Sequence, residues 1–320
     1  MKFPLTIHLL IKNNESTIEK CLESISSLNA QILVGDLSCK DQTIEKCKPF
    51  GVKVVKLSLN DDLSQARNYM LKTTDSKWNL YLEPWEVLIN AKEIESLLSG
   101  VNAYKANIVQ GDIITKQIRL WHKDTNLKFK NPVFETIEGE AQDTNLCFIS
   151  GNNNSTLSGE LLKKWREKCP LKTEPIYYTA FDNLTNKNWD GFLNYSKLYL
   201  HQEKTNQMSM YMTHYYCSMV YCYIKYDYKS ALESILPCIA KKPTMAEFWC
   251  LLADIYYATK DYEKAKSFYE NAIILGGKRL RSDEWPLEVS KYKDYPQKMI
   301  DSCEKIKQSS HVYTNRHHFA

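Results

Sequence analysis

Two stretches in the C-terminal half of this chain align without a gap at a spacing of 34 residues, and no other feature restricts its fold as tightly. Asp227-Tyr228 falls on Asp261-Tyr262, Ala231 on Ala265, Ile235 on Tyr269, Cys238 on Ala272 and Tyr215 on Trp249. Apolar residues recur at helical spacing on both sides of the Asp-Tyr step, so each copy reads as two helices joined by a turn. Small residues (Ala253, Ala265, Ala272) mark a close helix approach, and large ones (Trp249, Leu252, Tyr256, Tyr269) fill the groove between neighbours. Pro243 ends the first copy. Such a unit cannot bury its apolar face alone, and about three are needed for a stable stack. A degenerate third copy is expected over 284–306, with Asp294-Tyr295 one residue off the period, and YSKLYLHQE (195–203) is expected to cap the stack with it.

The first half follows a different grammar. LTIHLLI (5–11), QILVGD (31–36), VKVVKL (52–57) and WNLYL (78–82) read as strands. Between them lie helix patterns at 16–28, at 41–51 closed by Gly51, and at 64–74 with Ser64 as N-cap. This alternation predicts a Rossmann-like, mostly parallel sheet with helices on both faces, an α/β domain over 1–155. An all-α domain, a linker helix plus repeats, is expected over 156–310, and a tail over 311–320. In parallel sheets of this kind ligands sit beyond the C-terminal strand ends, where Asp36 and Glu83 fall.

With 320 residues the chain has room for two such cores. Its 42 basic and 38 acidic residues are too balanced for a nucleic-acid binder. The ten cysteines include no Cys-x-x-Cys pair, which points to reduced, buried thiols. No apolar run approaches the ~20 residues that span a bilayer, and the N-terminal MKFPLTIHLLIKNNES lacks a cleavage site, so a cytoplasmic location is expected.

The ordered series LLIKNNES, VGDLSCKDQT, LNDDLSQARN and LYLEPWEVL resembles the family 2 glycosyltransferases, in particular the bacterial and phage type that carries C-terminal tetratricopeptide repeats. The repeats here follow in the same order, and the resemblance is close over about 5–90 and looser over 117–136. It implies a GT-A fold and a nucleotide-sugar donor, a UDP-sugar. Asp36 then matches the aspartate that accepts from the base, while Lys12 and Asn13 lie where the family meets the nucleotide. Arg67, at the start of its helix, is expected at the donor phosphates, with Arg119 and Glu83 completing the binding set. Asp41 is better placed to cap the following helix.

In that family a D-x-D strand end holds Mn or Mg, which neutralises the leaving diphosphate. Here Glu83 replaces the first Asp and Trp85 the second, with Glu86 next to them. FKNPVFETI (129–137) resembles the F-x-G-x-V-H-E segment, but its metal-proximal histidine is Phe134. An indole N–H and a phenyl ring cannot coordinate a cation. Glu83 and Glu86 remain as candidate metal ligands, and Glu135 and Glu86 as candidate bases for an inverting transfer. The structural alternative for both bases is an ion pair with a neighbour such as Arg119 or Lys130. Three readings follow: a transferase with a relocated metal site, a metal-independent one in which Lys12, Arg67 and Arg119 supply the charge, or a catalytically silent domain. In the last case the chain binds a nucleotide or, through its repeats, a protein partner or a second copy.

Overall fold

The computed structural model describes residues 4–151, 157–203, 205–280, 283 and 285–316, with side chains to 308. Residues 317–320 of the expected tail lie outside the described residues. The chain divides into two compact units, Met1–Pro170 and Leu171–Ala320. The division falls later than residue 155 because the helix Leu157–Lys168 belongs to the first unit. That helix buries Leu161, Leu162 and Trp165, and its Lys164 reaches Asp61 at 2.8 Å.

In the first unit the elements run β1 (Leu5–Ile11), α1 (Ile18–Ile25), β2 (Ala30–Asp36), α2 (Thr43–Cys47), β3 (Lys53–Lys56), α3 (Leu63–Lys72) and β4 (Trp78–Leu82). Then come β5 (Glu86–Leu88), α4 (Glu93–Leu97), β6 (Ala103–Gln110), β7 (Ile113–His122), β8 (Phe129–Lys130), β9 (Thr136–Ile137), β10 (Gln142–Ser150) and α5 (Leu157–Lys168). The main sheet is ordered β3-β2-β1-β4-β7-β6-β10-β5. Its first four strands are parallel, as the alternation predicts. From β4 onward β7 joins antiparallel to both β4 and β6, which makes the whole sheet mixed. All seven residues of β1 are buried, as suits a central strand covered on both faces. Ile18, Cys21, Leu22 and Ile25 of α1 pack onto it at helical spacing.

Two helix boundaries differ from the sequence reading. Pro49 turns the end of α2 into a 3-10 turn over Lys48–Phe50, which Gly51 closes at φ +63°. Asp62, not Ser64, caps α3: its side chain accepts from Gln65 N at 3.0 Å, and Ser64 Oγ donates to it. Asp41 accepts from Thr43 N and Glu15 N and so ties the turn before α2 to the loop after β1, while the N-cap position itself is Gln42, without a side-chain cap bond.

His8 lies inside β1, with Nε2 3.0 Å from Asn79 Oδ1 and Nδ1 buried without a hydrogen-bond partner. Burial pushes its pKa down to about 4. Between there and the unfolded value of 6.5 the unfolded chain binds the extra proton. Stability from this group is therefore complete above about pH 6.5 and is lost as pH falls toward about 4, by at most about 3 kcal/mol. Buried carboxylates in the same unit act with the opposite sign, so the test is a difference. Urea melts at about pH 4.5 and about pH 7.5 should show a smaller pH effect in His8→Gln than in the wild type.

The second unit contains α6 (Thr173–Thr185), α7 (Trp189–Leu200), α8 (Gln207–Val220), α9 (Tyr228–Lys241), α10 (Ala246–Ala258), α11 (Tyr262–Gly276) and α12 (Asp294–Arg316). Three helix pairs repeat one turn. Lys187, Tyr226 and Lys260 take positive φ, and the next residue (Asn188, Asp227, Asp261) caps the second helix. The third pair is thus α6–α7, ahead of the other two, and YSKLYLHQE lies on α7 and the turn after it. The stretch expected to form a degenerate copy at 284–306 instead ends in the single long helix α12. Hydroxyls of Tyr223, Tyr269 and Tyr295 converge on Asp254, tying α10 to α11 and α12.

Candidate functional site

Parallel register fixes the site. Ile11 pairs with Asp36 and Leu9 with Leu82, so β1, β2 and β4 end along one edge of the sheet. Lys12, Asn13, Asp36 and Glu83 emerge there, and two clusters form.

The first cluster joins β1 and β2. Asp36 is 7% exposed and accepts from Cys39 N at 2.8 Å. Asn13, at φ +55°, accepts from Lys40 N through Oδ1 and donates its own N–H to Cys39 Sγ. Lys12 Nζ donates to Leu37 O at 3.4 Å. Burial pushes the Cys39 thiol up to about 11, so it stays protonated near neutrality. The loop after β2 is therefore knitted to the loop after β1, with a buried carboxylate and a lysine at the seam.

The second cluster centres on Arg67 of α3. Its Nε donates to Glu135 Oε1 at 2.9 Å, and its Nη2 to Glu83 Oε1 and Oε2 at 2.6 and 2.9 Å. The guanidinium lies over the rings of Tyr81 and Phe129 at 5.5 and 5.3 Å. Burial alone would lower its pKa, but Glu83 and Glu135 overcome this and hold it charged. Burial pushes the Glu135 carboxyl above its usual range, with Arg67 opposing.

Glu83 and Glu86 bracket a tight turn. Glu86 N donates to Glu83 O, and Glu83 N donates to Glu86 Oε2, both at 2.9 Å. The other oxygen of Glu86 accepts from Arg119 Nη2 at 2.7 Å. Both partners are 2% exposed, and Arg119 lies 4.1 Å from the centre of the Tyr81 ring. Burial raises the Glu86 carboxyl, with Arg119 opposing. Glu86 and Arg119 thus hold the turn that presents Glu83. The alternative partner for Glu135 proves to be Arg67 rather than Lys130, which pairs with Glu138.

Asn68, beside Arg67, was given no role from sequence. Its side chain donates to Phe129 O at 2.8 Å and accepts from Phe129 N at 2.9 Å, while Leu63 N donates to Pro132 O. These bonds pin 129–135 to α3 and bring Glu135 to Arg67 across 68 positions of chain. The signal in the sequence was the SQARN helix start, whose last residue does this work. Phe134, at φ +54° and 39% exposed, sits at a backbone angle that bulky residues rarely adopt.

Each oxygen of Glu83 and Glu86, the carboxylates expected to hold a cation, already accepts from a guanidinium or backbone amide donor. Among the described residues no group of three or more His, Cys, Asp or Glu is placed to hold a metal ion. No helix among them is long and apolar enough to cross a membrane.

Residues 6–164 match the family model for glycosyl transferase family 2. A TPR repeat-containing protein of Synechococcus elongatus is 22% identical over 142 residues, which cover 42% of this chain and 35% of that protein. The match thus spans about a third of that curated relative. Among solved structures, MamA (41 to the end) from Desulfovibrio magneticus RS-1 is 20% identical with a TM-score of 0.37, covering 49% of this chain and 80% of that one. S. aureus TarS 1–349 in complex with UDP-GlcNAc is 10% identical with a TM-score of 0.40, covering 95% and 92%. Glucosyl-3-phosphoglycerate synthase from Mycobacterium tuberculosis, with Mn2+, UDP-glucose and phosphoglyceric acid, is 21% identical with a TM-score of 0.28, covering 32% and 43%. TM-scores this low leave the site to be read from its own residues.

Proposed function

Since the N-terminal unit of the chain belongs to glycosyl transferase family 2, we propose that it transfers a sugar from a UDP-sugar to an acceptor hydroxyl, with inversion and without a divalent cation. The carrying observation is the Glu83–Arg67–Glu135 arrangement, a guanidinium held between two carboxylates at the strand edge. The donor set does not fit a hard cation. Such an ion takes six or more oxygens, whereas both Glu83 oxygens meet Arg67, both Glu86 oxygens are hydrogen-bonded, and Trp85 and Phe134 offer none.

Asp36, Lys12 and Asn13 then receive the nucleoside, and the diphosphate takes the place of Glu83 on Arg67. Glu135, oriented by Arg67 and raised by burial, accepts the proton of the acceptor hydroxyl. That oxygen bonds to the anomeric carbon from the face opposite the diphosphate, which leaves with the electrons of the broken C–O bond. Glu86 and Arg119, expected as base and phosphate ligand, become the positioning pair for Glu83.

A screen of nucleotide sugars for hydrolysis and transfer in EDTA tests this. One donor should turn over in the wild type. Glu135→Gln should lower kcat by about 10²–10⁴-fold with KM little changed. Asp36→Ala should act mainly on KM. The second reading, a silent domain, draws on the same pairs: every acid of the cluster is satisfied without a ligand. Failure of every nucleotide to bind at millimolar concentration would select it.

A further inference from the structure

Glu135 is not carried by the main sheet. β8 and β9 form a sheet of their own, Phe129 pairing with Ile137 and Lys130 with Thr136, and the loop 131–135 joins them. The loop is firmly seated. Phe129 packs edge-on against Tyr81 and Trp121, with ring centres 5.1 and 6.1 Å away, and Asn68 holds its main chain. Leu63 N donates to Pro132 O at 2.8 Å, and Val133 is fully buried.

Phe134 departs from this economy. Its ring is 39% exposed, so the core does not account for it, and its backbone stands at φ +54°. Asparagine or glycine would take that angle more readily and would leave no apolar surface in water. A strained residue that its surroundings hold in place points to function. Here the strained residue sets an aromatic ring beside the carboxylate that takes the acceptor proton.

Charge narrows what such a ring can receive. The cluster has three carboxylates, Glu83, Glu86 and Glu135, against the two guanidinium groups of Arg67 and Arg119. A diphosphate on Arg67 adds further negative charge, so an acceptor bearing phosphate or carboxylate is repelled. A pyranose ring fits instead. Its polarised C–H face suits the negative face of a phenyl ring, and its hydroxyls project from the rim toward a neighbouring carboxylate.

We propose that Phe134 is the stacking platform for the acceptor, and that the acceptor is an uncharged sugar ring whose hydroxyl gives its proton to Glu135. This rests on the transfer reading above and assigns its acceptor side. The deprotonating oxygen bonds to the anomeric carbon as the donor C–O bond breaks, and UDP leaves with that electron pair.

Saturation-transfer difference NMR on the full chain with UDP present tests it. The probes are the methyl glycosides of glucose, galactose, mannose and N-acetylglucosamine, each beside its 6-phosphate. At least one uncharged glycoside should receive saturation, chiefly on one ring face, and its 6-phosphate about fivefold less or lower still. Phe134→Tyr, which keeps the ring, should retain the signal. Phe134→Asn, which accepts the backbone angle without the ring, should lower the glycoside signal relative to that of UDP by about fivefold or more. Saturation that reaches UDP but no glycoside overturns the proposal and leaves donor binding standing. So does a 6-phosphate that exceeds its parent, or an undiminished glycoside signal in Phe134→Asn. If UDP receives none either, the transfer reading falls and the acceptor assignment falls with it.

Discussion

Arg67→Met should lower the unfolding free energy of the N-terminal unit by about 3–5 kcal/mol, the usual cost of leaving buried carboxylates without their counter-charge. The side chains of Arg67, Glu83 and Glu135 are only 8%, 17% and 9% exposed, so water cannot replace the guanidinium. Methionine fills similar volume but offers neither charge nor donors. Adding Glu83→Gln and Glu135→Gln to the same chain should recover more than about half of the loss, because no buried charge then remains. Urea unfolding followed by a probe in the first unit reads both effects. A cost below about 1 kcal/mol would mean that the pairs behave as surface ion pairs.

Glu83→Gln should strengthen donor binding, by about tenfold. The reason is the charge count of the cluster: two guanidinium groups, Arg67 and Arg119, against three carboxylates, Glu83, Glu86 and Glu135. A diphosphate approaching Arg67 must displace Glu83, and the amide yields its place more readily than the carboxylate. Were Glu83 a cation ligand, the same substitution would weaken binding. Isothermal titration of UDP into both chains gives the sign directly.

The parallel half of the sheet and the first helix were legible because their burial follows simple periods. Leu5–Ile11 is apolar almost throughout, and Ile18, Cys21, Leu22 and Ile25 form one helical stripe. The antiparallel half was not read strand by strand, since IITKQIRLWH mixes a half-buried Lys116 and an exposed Gln117 with a buried Arg119. The α6–α7 pair escaped notice because its turn stands 39 residues before the next one, not 34. The turn chemistry, a positive-φ residue followed by Asn or Asp, was the better guide there.

At the candidate site the sequence placed Lys12, Asn13, Asp36 and Glu83 at strand ends that the register brings to one edge, but it did not reveal the side-chain pairing. Arg67 meets Glu83 and Glu135 across 16 and 68 positions, distances over which no local pattern operates. Glu86 was legible as an acid, and its burial against Arg119 was foreseeable only as one alternative. The resemblance implied the loss of two coordinating positions, at Trp85 and Phe134. The structure adds what the remaining carboxylates do instead.

The most direct measurement of the central claim is UDP binding with and without manganese. Titration into the full chain in EDTA and in saturating Mn2+ should give dissociation constants that agree within about twofold. A tightening of about tenfold or more on adding Mn2+, lost again in Glu83→Gln, would contradict the account, because it would make Glu83 a cation ligand and not the resting partner of Arg67.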